Sequence, residues 1–175
     1  MSVPVPTDPA RFAQAVRSLL GLIHSPAGEP LELVKELNRH LAAIYAAALA
    51  LEYVEPTSSE LCDDPDSDVN LRTVPTRWAS VFGPKDLYWE LYDPLTEEPE
   101  EAVAGSPASE LGEIAHDLAE GMACWDAGRQ ADAVWTWKEG LESHWGRHAV
   151  SLIRVLHLLA FDHGVPNRGD GVTSN

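Results

Sequence analysis

The sequence predicts an all-α fold, a single-domain helical bundle of about five principal helices with a long acidic crossover. Three observations predict it. Apolar residues recur at helical spacing through the long stretches, three of these stretches open on a proline, and no alternating apolar run bounded by turns is present. At 175 residues, with 45% hydrophobic and 23% charged, the chain suits one well-cored domain, placed over residues 1–166, with 167–175 as a disordered tail.

Asp8 followed by Pro9 reads as an N-cap and first helical position, and Phe12, Val16, Leu19, Leu20 and Ile23 then carry a helix to His24. Ser25-Pro26-Ala27-Gly28 breaks it. Pro30 opens a second helix striped by Leu33, Leu37, Leu41, Ile44, Ala48 and Leu51, and the run Leu41–Leu51, apolar on every side, predicts a central position. From Val54 to Ser106 acidic, Pro-rich stretches flank an aromatic island, Arg77–Pro94, expected to form one or two short helices across the bundle. Ser106 and Pro107 start the next helix, which stops at Gly128. A last helix is expected from Arg129 to the Gly164-Val165-Pro166 stop. Gly121–Trp137 resembles a tetratricopeptide hairpin, but a single copy supports no solenoid.

The net charge of -16, from 28 acids against 12 Lys plus Arg, excludes ready binding to nucleic acid or anionic membrane and favours a basic protein partner. No run of roughly 18 apolar residues predicts a membrane span, and MSVPVPTDPARF has no leader-like pattern, so the expected location is cytoplasmic. Cys62 and Cys124 lack CxxC spacing and are expected as free, reduced thiols. No motif calls for a cofactor, a phosphate loop or a nucleophile elbow.

The histidines carry the candidate chemistry. At about 100° per residue, Leu141, Trp145, Leu152, Leu156 and Leu159 share a face, with His148 turned toward the core, His144 at the edge and His157 outward. His144 and His148, spaced i and i+4, could share a cation and are the metal candidates. His40, at the rim of the second helix's stripe, could join them. The plainer alternative is a neutral core histidine bonded to a backbone carbonyl or a carboxylate. Glu113-x-x-His116 with Glu120 matches half of a di-iron motif but falls on the polar face, opposite Leu111, Ile114, Ala115, Leu118, Met122 and Trp125. Asp64-Pro-Asp66-Ser-Asp68 opens like a calcium loop, yet Val69 stands where glycine is needed. Tyr88, Trp89 and Tyr92, beside Asp86, Glu90 and Asp93, could wall a ligand pocket or a protein-binding patch.

The segments DLYWELYDP (Asp86–Pro94) and ESHWGRHAVSLIRVLH (Glu142–His157), framed by HLAAIYAAAL, together resemble an uncharacterised bacterial family designated a domain of unknown function, over about residues 10–160. The resemblance implies a soluble, stand-alone bacterial domain and supplies no activity, since none is established for the family. Two functions are therefore expected. The first is a non-enzymatic accessory module, such as an antitoxin-like or immunity-like inhibitor, meeting a basic protein through its acidic surface. The second is a small-molecule or metal-binding protein, with or without catalysis, using His144, Trp145, His148, His40 and the Tyr88–Tyr92 island. A homodimer through the island is the alternative form of the first.

Overall fold

The computed structural model describes residues 8–58, 62, 69–91, 95 and 101–164. In chain order the elements are α1 (Pro9–His24), α2 (Pro30–Leu49), α3 (Val69–Arg72), α4 (Val74–Phe82), β1 (Tyr88–Glu90), β2 (Val103–Gly105), α5 (Pro107–Asp126), α6 (Gln130–Ser143) and α7 (Trp145–Leu158), with a π-turn over Leu159–His163. The fold is all-α apart from the antiparallel β1–β2 ribbon, which pairs Tyr88 with Gly105, Trp89 with Ala104 and Glu90 with Val103. Tyr92, the Asp64–Asp68 run and the tail 167–175 lie outside the described residues.

Helix starts follow their caps. The Asp8 carboxylate accepts from the Ala10 amide at 3.0 Å, and the Ser106 hydroxyl accepts from the Ser109 amide at 3.1 Å. Each satisfies a donor that the first turn of a helix leaves without an intrahelical acceptor. Asp86, just before the ribbon, adds to the second cap: its Oδ1 accepts from the Ala108 amide at 2.9 Å and from the Ser106 hydroxyl at 3.0 Å. At the other end of α1, the Trp78 indole donates to Ile23 O at 2.9 Å and the Arg77 guanidinium to His24 O at 2.6 Å, so α4 is fastened where carbonyls would otherwise be orphaned.

The centre of the bundle is α5, packed against α1, α4, α6 and α7. This corrects the expectation that α2 is central. Ala42, Ala43, Ala46 and Leu49 of α2 face solvent, because α1, α6, α7 and the turn that follows α7 leave that side of it bare. Methyl groups remove little area from water, so an alanine-rich helix can leave one side bare at small cost.

The predicted last helix is two helices. His144, at φ -143° and ψ -82°, ends α6 and caps α7. The turn needs Gly146, since a Cβ there would stand 2.0 Å from the Leu141 carbonyl oxygen. Trp145 and Trp137, both fully buried, lock the corner: the Trp145 indole donates to Trp137 O at 3.0 Å, and the Trp137 indole to Leu118 O at 3.1 Å.

A second correction concerns the cysteines, which form a Cys62–Cys124 disulfide and are not free thiols. Chain separation carries no information about spatial approach, and 62 positions separate the two. The same region is held by Asp132, a buried carboxylate in the first turn of α6. Its Oδ1 accepts from the Thr57 amide, from the Thr57 hydroxyl at 2.9 Å and from the Ser58 amide at 3.3 Å, while Oδ2 meets Arg129 Nε at 2.6 Å.

The Thr57 amide first, then Arg129 and the Thr57 hydroxyl, hold the Asp132 carboxyl below its usual range, against the opposing effect of burial. A depressed native pKa contributes stability that is present above the unfolded value near 4 and is lost as pH falls through the native one. Urea midpoints measured downward from about pH 4 should therefore fall more steeply for the wild type than for Asp132→Asn. Equal slopes for the two proteins would assign the acid sensitivity elsewhere.

Candidate functional site

The ribbon stands opposite α7 and leaves between them a cleft of about 780 Å³. Its apolar lining includes Trp89, Leu91, Val103 and Val150, which are 63%, 40%, 45% and 51% exposed. Side chains of that size are normally covered, and here four of them converge on one concavity. Its polar lining includes Glu90 from the ribbon, Glu110 from α5, and Arg147, His148, Ser151 and Arg154 from α7.

Glu110 joins the two walls. Its Oε2 accepts from His148 Nδ1–H, and its Oε1 lies 3.2 Å from the Tyr88 hydroxyl, which is also 3.1 Å from Glu90 Oε1. One phenolic proton is thus shared between two carboxylates. Burial, helped by the charges of Glu110 and Glu90, pushes the Tyr88 pKa well above that of a free phenol, so Tyr88 stays a neutral donor. The Glu110 hydrogen bond raises His148 above the ordinary imidazole value. Partial burial opposes it, and the charges of Glu110, Glu113 and Asp117 reinforce it. Close packing explains the ribbon's shape at this point: a Cβ on Gly105 would sit 2.5 Å from the Tyr88 ring, so only glycine admits that ring.

A second carboxylate–imidazole pair lies one turn along. His144 Nδ1 is 2.8 Å from Asp117 Oδ2, and the two imidazoles meet edge to face with their Nε2 atoms 3.2 Å apart. The chain Glu110–His148–His144–Asp117 therefore bridges α5 and α7. It can hold a proton at several positions and pass it between them.

The residues singled out from sequence fall in three places. Tyr88, Trp89, His144 and His148 are gathered around the cleft and the bridge behind it. Trp145 is sealed in the core beneath them, and its indole proton is taken by Trp137 O. His40 stays on α2 with Glu36, 4.0 Å away on the same helix. His148 is partly exposed, not turned into the core: it sits beside the α7 face that Trp145, Leu152 and Leu156 bury, on the side that lines the cleft. Glu113 and His116 line a smaller hollow of about 430 Å³ beside Leu71, Arg72 and Pro75, on the polar side of α5 as expected. Among the described residues no group of three or more His, Cys, Asp or Glu is arranged to hold a metal ion.

Glu110 and Asp117 were not among the sequence candidates. Their signal is a pair of carboxylates seven residues apart on one face of a helix, set against imidazoles four apart on another. It becomes readable only once α5 and α7 are known to be neighbours.

Fold and site together define a class: an all-α domain with a ribbon-walled cleft and a carboxylate–imidazole bridge that reaches it through Glu110 and His148. The chain belongs to the family described as Domain of unknown function (DUF5063), whose model matches residues 7–162. It is similar in fold to the crystal structure of protein BF1032 from Bacteroides fragilis, a Northeast Structural Genomics Consortium target, with a TM-score of 0.72 and 17% identity over 87% of this chain and 94% of that one. None of the curated proteins matches it. Among the described residues no helix is long and apolar enough to cross a membrane.

Proposed function

We propose that the protein is a ligand-binding module whose cleft takes a small amphipathic molecule, its apolar part against Trp89, Leu91, Val103 and Val150 and its polar end toward Glu110 and His148. The observation that carries this is the convergence of four exposed apolar side chains and a hydrogen-bonded titratable chain on one concavity. Arg147 and Arg154 on the same wall suit an anionic head, and Glu90 a cationic or hydroxylated one. A panel of aromatic and aliphatic carboxylates and amines, added singly to ¹⁵N-labelled protein, separates these. Binding should shift the Trp89 indole and the amides of Val103, Val150 and Ser151 together. Shifts scattered over the surface, or none at millimolar concentrations, would remove the cleft from consideration. The Glu110–His148 pair would also serve acid–base chemistry on a bound ligand.

The second reading, an accessory module meeting a basic protein partner, is supported by the net charge of -16. Such a complex should weaken steeply with salt, since exposed charges are screened beyond about 8 Å at physiological ionic strength. Exposed Leu87, Trp89 and Leu91 would equally serve a homodimer, which light scattering on the wild type and Trp89→Ala distinguishes. The disulfide favours an oxidising compartment over the cytoplasmic location expected from sequence.

A further inference from the structure

The two imidazoles of the bridge behind the cleft pose a problem of proton counting. A neutral imidazole has one N–H and one lone pair. His144 and His148 each direct Nδ1 at a carboxylate, of Asp117 and Glu110 respectively, and an ionised carboxylate only accepts. Both Nδ1 atoms therefore carry the hydrogen. With both rings neutral, both Nε2 atoms are then lone pairs, and they lie 3.2 Å apart. Two lone pairs at that distance need an electrophile between them, either one shared proton or a metal ion.

We propose that His144 and His148 together hold one divalent transition-metal ion, of the zinc, copper or nickel class, through their Nε2 atoms. Adjacent nitrogen ligands at 2.0–2.1 Å from an ion are separated by about 2.8–3.4 Å, depending on whether their angle is square or tetrahedral. The observed 3.2 Å falls inside that interval. The carboxylates complete the pattern. A histidine that binds metal donates its other N–H to a carboxylate, which fixes the ring and makes the free nitrogen a better donor. Here both histidines have that arrangement, and it was built by two separate helices. No third protein ligand is arranged among the described residues, so the remaining positions go to water or to a molecule in the cleft, which His148 itself lines. His144 and His148 are on average about a third exposed, at 47% and 26% of their side chains, so an ion can reach them.

The inference is independent of the cleft reading, and its test uses no cleft ligand. Metal-stripped full-length protein is titrated with Zn²⁺ by calorimetry and, separately, loaded with one equivalent of Cu²⁺ for electron paramagnetic resonance. One ion should bind per chain, and the copper spectrum should show coupling to imidazole nitrogen that diminishes in both His144→Ala and His148→Ala. Each of these variants should lose at least tenfold in Zn²⁺ affinity, and Asp117→Asn about ten- to a hundredfold. His40→Ala and His157→Ala should change nothing. Circular dichroism of the two site variants, whose replaced side chains are partly exposed, checks that they fold. Affinity held within twofold in both His144→Ala and His148→Ala would overturn the proposal. So would ring resonances of the two histidines that do not respond to Zn²⁺, which would leave a shared proton as the electrophile.

Discussion

Reduction of the Cys62–Cys124 disulfide is expected to lower the unfolding free energy by about 4 kcal/mol. The bridge closes a loop spanning 62 positions, and most of its effect lies in the unfolded chain, whose freedom it restricts. For a chain of this size the midpoint of thermal unfolding should fall by roughly 10 °C. The measurement is a pair of denaturation curves with and without reductant, repeated on Cys62→Ser/Cys124→Ser. The double variant should match the reduced wild type and ignore the reductant. An unchanged midpoint on reduction would mean that the Asp132 contacts to Thr57 and Ser58 already hold this segment in place.

The same substitution, glycine to alanine, should have opposite signs at two helical sites. In α5, a Cβ on Gly121 would stand 2.1 Å from Trp137 Nε1 and 2.4 Å from Cδ1. Trp137 has nowhere to retreat, being fully buried, edge-on to Phe12 at 5.0 Å and stacked on Trp125 at 5.9 Å. Moving it also breaks the indole bond to Leu118 O. Overpacking and an unsatisfied buried donor together put the loss at about 3 kcal/mol, against a helix-propensity gain of about 1. In α1, Gly21 has no atom within 4 Å of its Cβ position, so Gly21→Ala keeps the propensity gain. Urea unfolding of both variants decides it, and equal effects would show that the Trp137 contact is soft.

The physical range of each signal explains what could be read from sequence. Caps are local, so Asp8-Pro9, Pro30 and Ser106-Pro107 placed three helix starts without knowledge of any neighbour. The buried faces of α5 and α7 were legible for the same reason, since Leu118, Leu152 and Leu156 repeat within a few turns. The break at His144 was not legible. It depends on Gly146 lying against the Leu141 carbonyl and Trp145 against Gly140, and no proline marks it. The ribbon was missed because each strand is three residues long, too short for alternation to register. For the site, the imidazoles stood out as residue types, while Glu110 and Asp117 were hidden among the other acids of a chain with 28. A carboxylate becomes a partner only through the packing of α5 on α7, which composition does not encode.

Asp86 has a mechanical consequence. A two-stranded ribbon is marginal by itself in water, yet this one forms a whole wall of the cleft. Through Asp86 that wall is bolted to the first turn of α5, at Ser106 and Ala108, while Glu110 one turn on is tied to α7 by His148. The aperture is therefore set by how far α5 and α7 stand apart, with the ribbon as a jaw riding on α5. Any event that slid those two helices past one another would open or shut the jaw, and would strain the Glu110–His148 bond in the same stroke.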